Sequence, residues 1–212
     1  AALADGGWRV IAHYNASKPD KRHETVQGDL SKEAGVKRVA AAVRRKTARL
    51  DLLVNSAAIF DQQPLAKIDA ARFDAQMALN ARAPLLLTGE LAPLLERAGG
   101  SVVNIVDVGG GLVPWAGYAH YCASKAALAR ITECLALELA PGIRVNAVAP
   151  GTVMWPEAYS AARRRQLAGR IPLRRSGSAD DVAQAVLFLA QAPFITGVIL
   201  PVDGGRHLSG RA

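Results

Sequence analysis

Short apolar runs alternate with longer amphipathic stretches along the 212 residues of the chain. The runs are rich in Val, Ile and Leu, which is typical of strands buried under helices on both faces of a sheet. They predict strands at 8–14, 25–30, 51–55, 101–106, 143–150 and 197–203. The stretches between them predict helices near 32–48, 69–79, 83–97, 117–139 and 179–191. Regular alternation of strand and helix indicates an α/β fold with an open parallel sheet.

The composition favours a single domain over residues 1–212, because half of the residues are hydrophobic and no linker or repeat divides the chain. The net charge of +8 comes from short scattered basic clusters without interleaved aromatic residues. This pattern favours solvated helix faces over nucleic-acid binding. We find no apolar run long enough for a membrane span and no signal-peptide pattern. With only Cys122 and Cys134, we expect reduced thiols and a cytoplasmic location.

Small and polar residues follow most of the predicted strands. Ligands of open parallel sheets bind beyond the carboxyl ends of the strands, so these residues are the first candidates for a site. They are Asn15-Ala16-Ser17, Asp29, Asn55-Ser56-Ala57-Ala58, Asp107 with the three glycines 109–111, and Pro150-Gly151-Thr152.

Tyr121 and Lys125 stand four residues apart in a predicted helix and therefore share one helical face. Tyrosine is a poor acid or base at neutral pH, because its reference pKa is about 10. A neighbouring positive charge favours the phenolate, so we expect Lys125 to lower the pKa of Tyr121 and make proton transfer feasible. The spacing alone is weak evidence, since the pair is also compatible with simple helix packing.

The surrounding motifs add specificity. "YCASKAAL" follows "SVVNIVDVGGG" and precedes "IRVNAVAPG", with "NSAA" and "QMALNARAPLLL" upstream and "VDGG" downstream. In this order they resemble the short-chain dehydrogenase/reductase family from residue 1 to about residue 208. The resemblance implies a Rossmann-type, doubly wound parallel sheet, hydride transfer from a nicotinamide cofactor, and a homotetramer.

The resemblance also assigns roles to individual residues. It implies that Tyr121 donates a proton to the reduced centre, that Lys125 tunes Tyr121 and binds the nicotinamide ribose, and that Asn80 extends the proton relay. The implied cofactor contacts are Asp29 with Leu30 at the adenine, Asn55 with Ser56 and Ala57, and Pro150, Gly151, Thr152 and Val153 at the nicotinamide carboxamide. The glycines of "VDGG" are interpreted as structural.

One position departs from the family pattern. Most members carry a serine just after "VVNI", whereas this chain reads "VVNIVDVGG" and offers Asp107. An aspartate there is similar to the pteridine reductase branch, which reduces a C=N bond of a pterin or dihydrofolate-like substrate. Phe60, Tyr118 and Trp155 resemble the residues that line the pterin pocket in that branch. We therefore expect a pterin as substrate, bound by these three residues and Asp107.

The cofactor expected from the resemblance is NADPH. The segment "HYNAS" at 13–17 is similar to the one that faces the adenosine ribose, and it contains no acid to bind a 2′-hydroxyl. Ser17, assisted by Asn15, has the polar groups to hydrogen-bond a 2′-phosphate instead.

Two expected segments are missing: the glycine motif after the family's first strand, and the helix between the second and third strands. Loss of a central strand would expose the edges of its two neighbours. We therefore expect the printed residues to be the ordered parts of a longer protein. Two alternatives stay open: a ketoreductase acting on a substrate such as a 3-oxoacyl thioester, and a non-catalytic binding protein that kept the fold.

Overall fold

The computed structural model describes residues 2–17, 23–155 and 159–209. Its strands are β1 Ile11–Tyr14, β2 Glu24–Gln27, β3 Leu52–Asn55, β4 Ser101–Ile105, β5 Arg144–Pro150 and β6 Ile199–Val202. Its helices are α1 Ala2–Asp5, α2 Glu33–Lys46, α3 Ala70–Met77, α4 Ala83–Glu96, α5 Ala119–Glu138, α6 Ala161–Ala168 and α7 Ala179–Gln191. Short 3₁₀ turns at Leu65–Lys67 and Arg206–Leu208 and a π-helical turn at Ala78–Arg82 complete the elements.

All described strand pairs are parallel, as the apolar runs predict. β3, β4, β5 and β6 form one sheet in that order, and β1 pairs with β2 in a second sheet. Alternate side chains of the larger sheet enter different layers, because successive residues of a strand point to opposite faces. Val102 and Val145 pack with Leu135 of α5, whereas Val103 and Val148 pack with Leu189 of α7. Helices therefore cover both faces, which confirms the doubly wound Rossmann-type fold.

A slot separates the two sheets. In the described part of the chain, β1 pairs only with β2, and β3 pairs only with β4. Between them lies a cavity of about 730 Å³, whose lining includes Ile11, Leu52, Val54, Leu87 and Leu91. Two strand edges therefore face each other across an apolar space without main-chain partners, an unfavourable arrangement for backbone polar groups. That a further strand of a longer protein lies there stays a prediction.

The helix ends agree closely with the sequence prediction where capping is strong. Ser178 caps α7, with its hydroxyl accepting from the Asp181 backbone N–H and the Asp181 carboxylate accepting from the Ser178 backbone N–H. This reciprocal capping box satisfies two otherwise free helix donors. The sequence did not predict α6, which begins after an N-cap at Ser160. None of the described helices is both long enough and apolar enough to cross a membrane.

The predicted helices near 69–79 and 83–97 form one continuous helical segment, because the π-helical turn joins α3 directly to α4. A π turn widens the backbone ladder by one residue and re-aims the side chains that it carries. Here it carries Asn80, whose side chain is completely buried. The turn thus directs a polar side chain into the interior beside α5.

Candidate active site

Tyr121 and Asp107 form the centre of the candidate site. Tyr121 lies in the first turn of α5 and is 5% exposed. Its phenol donates a hydrogen bond to Asp107 Oδ2 at 3.0 Å. Asp107 follows β4, and its Oδ1 accepts from the backbone N–H of Gly109 at 2.6 Å. The carboxylate is therefore held in place by its own loop and aimed at the phenol, and the catalytic role expected of Asp107 stays a prediction.

Lys125 lies one turn further along α5 but does not hydrogen-bond Tyr121. Its ammonium donates to the carbonyl of Ile105 at 2.7 Å, at the end of β4. Burial lowers the pKa of Lys125 to about 8, against which the negative charge of Asp107 acts. At neutral pH the group is still mainly protonated, so a positive charge stays beside the carboxyl end of the sheet.

The pKa of Tyr121 is raised, not lowered as expected from Lys125. Burial, followed by the negative charge of Asp107 and its hydrogen bond, raises the pKa of Tyr121 well above its usual range. Burial also raises the pKa of Asp107, although Gly109 and Tyr121 partly oppose this. The reason is geometric, because the carboxylate contacts the phenol and the ammonium contacts a carbonyl. Tyr121 is therefore held in its protonated form.

Asn80 ties the loop after β3 to α5. Its Oδ1 accepts from the backbone N–H of Ile59 at 2.8 Å, and its Nδ2 lies 3.0 Å from the Ile59 carbonyl. The same Nδ2 lies 2.9 Å from Gln76 Oε1 and 3.0 Å from Ser124 Oγ. Ser124 in turn donates to the carbonyl of Tyr121 at 2.7 Å. The geometry thus gives Asn80 a positioning role, and its part in a proton relay stays a prediction.

Three aromatic rings surround the phenol of Tyr121. Phe60 stacks on Tyr118 with centroids 4.8 Å apart and an interplanar angle of 16°. Phe60 also meets Tyr121 edge to face at 4.8 Å. Trp115 lies nearly parallel to Tyr121, with centroids 6.3 Å apart. Phe60 is 56% exposed, so the cluster presents flat apolar surface beside the acid.

Sequence reasoning found two of these neighbours and missed Trp115. Phe60 and Tyr118 were selected from the resemblance, and the structure brings both to Tyr121. Trp115 lies in the loop that enters α5, six positions before Tyr121, and this short spacing was a usable signal.

Trp155 lies apart from the aromatic cluster. Its ring lies 6.3 Å from that of Tyr159, and among the described residues it makes no ring contact with the Tyr121 group. It lines a small cavity of about 50 Å³ with Thr152 and Arg206. Sequence reasoning also missed Arg206, whose guanidinium lies 5.5 Å above the Trp115 ring.

The side chain of Asn55 is engaged within the core, and its expected contact with a cofactor stays a prediction. Its amide donates to Asn104 Oδ1 at 2.8 Å, and Asn104 donates to Thr132 Oγ1 at 2.9 Å. This buried chain crosses from β3 through β4 to α5. The side chain of Asn55 thus links β3 to β4 inside the core. The adjoining Ser56 and Ala57 are exposed at the end of the strand.

The other predicted cofactor residues lie at the carboxyl ends of their strands, as the parallel sheet requires. Asn15 and Ser17 follow β1 and are exposed. Asp29 follows β2, where hydrogen bonds from the hydroxyl and backbone N–H of Ser31 lower the pKa of its carboxyl. The next residue, Leu30, is buried in the core beneath α2.

Pro150 ends β5, and the loop that follows holds Gly151, Thr152 and Val153 at the same edge. A Cβ on Gly151 would lie 2.6 Å from the Cβ of Asp203, so only glycine permits this approach of the two loops. Within the described ranges, no three His, Cys, Asp or Glu side chains group as a metal site requires.

Comparison with known proteins places this geometry in a family. The family model described as Enoyl-(Acyl carrier protein) reductase matches residues 1–207. Protein FixR of Bradyrhizobium diazoefficiens is 36% identical, over 97% of this chain and 80% of that protein. The 3-oxoacyl-[acyl-carrier-protein] reductase FabG of Thermotoga maritima is 36% identical, over 80% of this chain and 71% of that protein.

A solved structure agrees in fold. The Pseudomonas aeruginosa RhlG/NADP active-site complex superposes with a TM-score of 0.87 at 30% identity, over 97% of this chain and 89% of that one. None of these three proteins is named as a pteridine reductase, so that branch stays a prediction. The match of a family model to nearly the whole chain, together with the Tyr121–Lys125 pair on one helix, shows that the chain belongs to the short-chain dehydrogenase/reductase family.

Proposed function

We propose that the chain is an NADPH-dependent carbonyl reductase with Tyr121 as its general acid. The observation that carries this proposal is the buried phenol of Tyr121, which donates a hydrogen bond to Asp107 at 3.0 Å. The exposed ring of Phe60 lies beside this phenol. The similarity to the 3-oxoacyl-[acyl-carrier-protein] reductase FabG and to the RhlG/NADP complex supports a reductase of this kind.

The residues at the nicotinamide end fit such a cofactor. Lys125 supplies a buried ammonium, and Gly151 to Val153 supply backbone groups at the same sheet edge. Asn15 and Ser17 are exposed and polar, and the segment 13–17 contains no acidic residue. Both features suit the binding of a 2′-phosphate. At the pyrophosphate end, no strand with a glycine-rich turn precedes β1 among the described residues, so this part of the fit is lacking.

Residues of the chain itself would donate the proton to the substrate and would then be reprotonated. NADPH would supply the hydride that reduces the carbonyl carbon. Tyr121 stays protonated at neutral pH because its pKa is raised, so its phenol can donate a proton to the carbonyl oxygen. Asp107 orients the phenol by accepting its hydrogen bond, and Lys125 holds a proton close by. The phenolate left after transfer is then reprotonated from Lys125 or solvent.

A second candidate is the reduction of a pterin. Asp107 in place of the family's serine favours it, as does the stacked pair of Phe60 and Tyr118, which offers flat surface to a fused ring. A carboxylate at this position can hold a proton donor near a ring nitrogen.

We also propose that the chain assembles as a homotetramer. Apolar side chains remain exposed on α4, on α5, and on α7 with the residues that follow it. They include Leu85, Leu137, Phe188 and Phe194. Sedimentation velocity tests this proposal, and a purely monomeric species at micromolar concentration would contradict it.

A substrate panel separates the functions. We expect NADPH oxidation with an acetoacetyl thioester and none with dihydropteridine or dihydrofolate. Tyr121→Phe should remove the activity, whereas Tyr159→Phe, which deletes a hydroxyl outside the ring cluster, should retain it. Turnover of the pteridines alone would favour the second candidate. No turnover of any substrate, with no NADPH binding, would favour a non-catalytic protein.

A further inference from the structure

The turn after β6 is built to hold one side chain in a fixed position. The carboxylate of Asp203 accepts from the backbone N–H of Gly205 at 2.9 Å and from that of His207 at 2.7 Å. It also pairs with the ring Nδ1 of His207 at 2.8 Å. Gly204 and Gly205 both have positive φ, at 65° and 85°, a conformation that favours glycine. The glycines of "VDGG" are thus structural, and the residue they present is Arg206.

Arg206 reaches from this turn to the candidate active site. Its guanidinium lies 5.5 Å above the ring of Trp115, which itself lies parallel to Tyr121. It also donates a hydrogen bond to the hydroxyl of Thr152, in the loop after β5. Its positive charge is close enough to act on the carboxyl of Asp107. The cation therefore lies at the edge of the same site, against the ring of Trp115.

This cation has no acidic partner in the part of the chain that the structure describes. Among residues 2–17, 23–155 and 159–209, no carboxylate lies within salt-bridge distance of the Arg206 guanidinium. Arg206 is partly buried, and withdrawing a charge from water without pairing it is unfavourable. An aromatic face and one hydroxyl compensate only in part. The arrangement leaves guanidinium donors for an incoming anion.

A second cation and a space of suitable size lie beside Arg206. The cavity of about 50 Å³ is lined by Thr152, Trp155, Arg170 and Arg206 together with the apolar side chains of Leu167 and Ile171. A single water occupies about 10–15 Å³ on this kind of measure, so the space suits a group of a few atoms. The planar guanidinium group of arginine matches the geometry of a carboxylate and binds it through two parallel hydrogen bonds.

We propose that Arg206, assisted by Arg170, forms a subsite for a carboxylate on the substrate, so that the enzyme reduces oxo acids in preference to neutral ketones. The inference rests on the proposed carbonyl reduction at Tyr121 and specifies its substrate class. It assigns Arg206 a binding role that discriminates between substrates. A structural role, joining the C-terminal turn to the loop after β5, would instead affect all substrates equally.

The test compares matched substrates that differ only in charge. Acetoacetate and levulinate are each assayed beside their ethyl esters, with NADPH, for the wild-type chain, Arg206→Gln, Arg206→Lys and Arg130→Gln. Arg130 is exposed on α5 and pairs with Glu133, so its change removes the same charge far from the cavity. Binding of each acid and ester is followed in parallel by tryptophan fluorescence, which needs no turnover.

We expect kcat/KM for at least one acid to exceed that of its ester by about ten- to a hundredfold, the range of a charge-assisted hydrogen bond. Arg206→Gln should remove this preference by raising KM for the acid while leaving the ester within about twofold. Arg206→Lys should restore part of the preference, and Arg130→Gln should match the wild type.

Each contrary result has a distinct meaning. Equal losses for acid and ester in Arg206→Gln, or equal activity of the wild type on both, would overturn the anion subsite and leave carbonyl reduction intact. Binding of the acids that depends on Arg206, without reduction of any carbonyl, would support the subsite and overturn the proposed reaction. Neither binding preference nor turnover would overturn both.

Discussion

Replacing Lys125 by methionine is expected to stabilise the folded chain at neutral pH while removing reductase activity. Lys125 is 3% exposed, and burial lowers its pKa from 10.5 to about 8. The native state therefore releases this proton more readily than the unfolded state. Below pH 8 the native state must bury a charged ammonium, which costs about 3 kcal/mol at about 1.4 kcal/mol for each pKa unit. Methionine removes that cost with a side chain of similar length.

Part of the gain is lost with the hydrogen bond from Lys125 to the carbonyl of Ile105, which contributes about 1 kcal/mol. The net stabilisation is then about 2 kcal/mol at pH 7. As pH rises from 8 towards 10.5, Lys125 becomes neutral in both states and its burial ceases to be unfavourable. The advantage of the variant should therefore fall to about zero by pH 10.

Urea denaturation at pH 7 and pH 10, followed by circular dichroism, measures this difference. Lys37→Met is the matched control, because Lys37 is exposed on α2 and its pKa is raised by Glu33 rather than lowered by burial. The control should show no comparable gain at pH 7. A Lys125→Met variant that is less stable than the wild type at both pH values, or equally stabilised at both, would refute the reasoning.

Three further outcomes are expected. Asp107→Asn removes a negative charge that raises the pKa of Lys125, which is about 8, so an alkaline limb set by Lys125 in the kcat profile should move to lower pH; an unchanged profile would contradict this. Asn104→Ala breaks the buried chain between Asn55 and Thr132 and should lower the free energy of unfolding by about 1–3 kcal/mol in urea titrations; a neutral effect would show that the chain is dispensable. Amide hydrogens of β3 should exchange faster than those of β4 and β5, which have partners on both sides, whereas equal protection would indicate that the slot between the sheets is filled.

The sheet could be predicted because its central strands leave few alternatives. β4 and β5 are buried along nearly their whole length, and their Val and Ala runs show in the sequence as continuous apolar segments. The ends of β1 and β2 were less well predicted, since these partly exposed strands extend over only four residues each. The π-helical turn that directs Asn80 inward has no comparable sequence signal.

The site was predicted in part for a similar reason. Residues on one helix or at the end of a known strand, such as Tyr121 and Asp107, are placed by periodicity and by motif. Their electrostatics depend on which groups touch, and spacing could not show that Lys125 would bond to a carbonyl. Arg206 reaches Trp115 from a turn 91 positions later in the chain, a contact that only the tertiary fold creates.

Transfer of deuterium tests the central claim most directly. The full chain is incubated with an oxo acid and NADPH that carries deuterium at both C4 positions of the nicotinamide, and the product is examined by mass spectrometry. We expect one deuterium on the former carbonyl carbon with the wild type, and a loss of about 10²–10⁴-fold in rate with Tyr121→Phe, the range for removal of a general acid. A product without deuterium, or a Tyr121→Phe variant that transfers it at the wild-type rate, would contradict carbonyl reduction with Tyr121 as the acid.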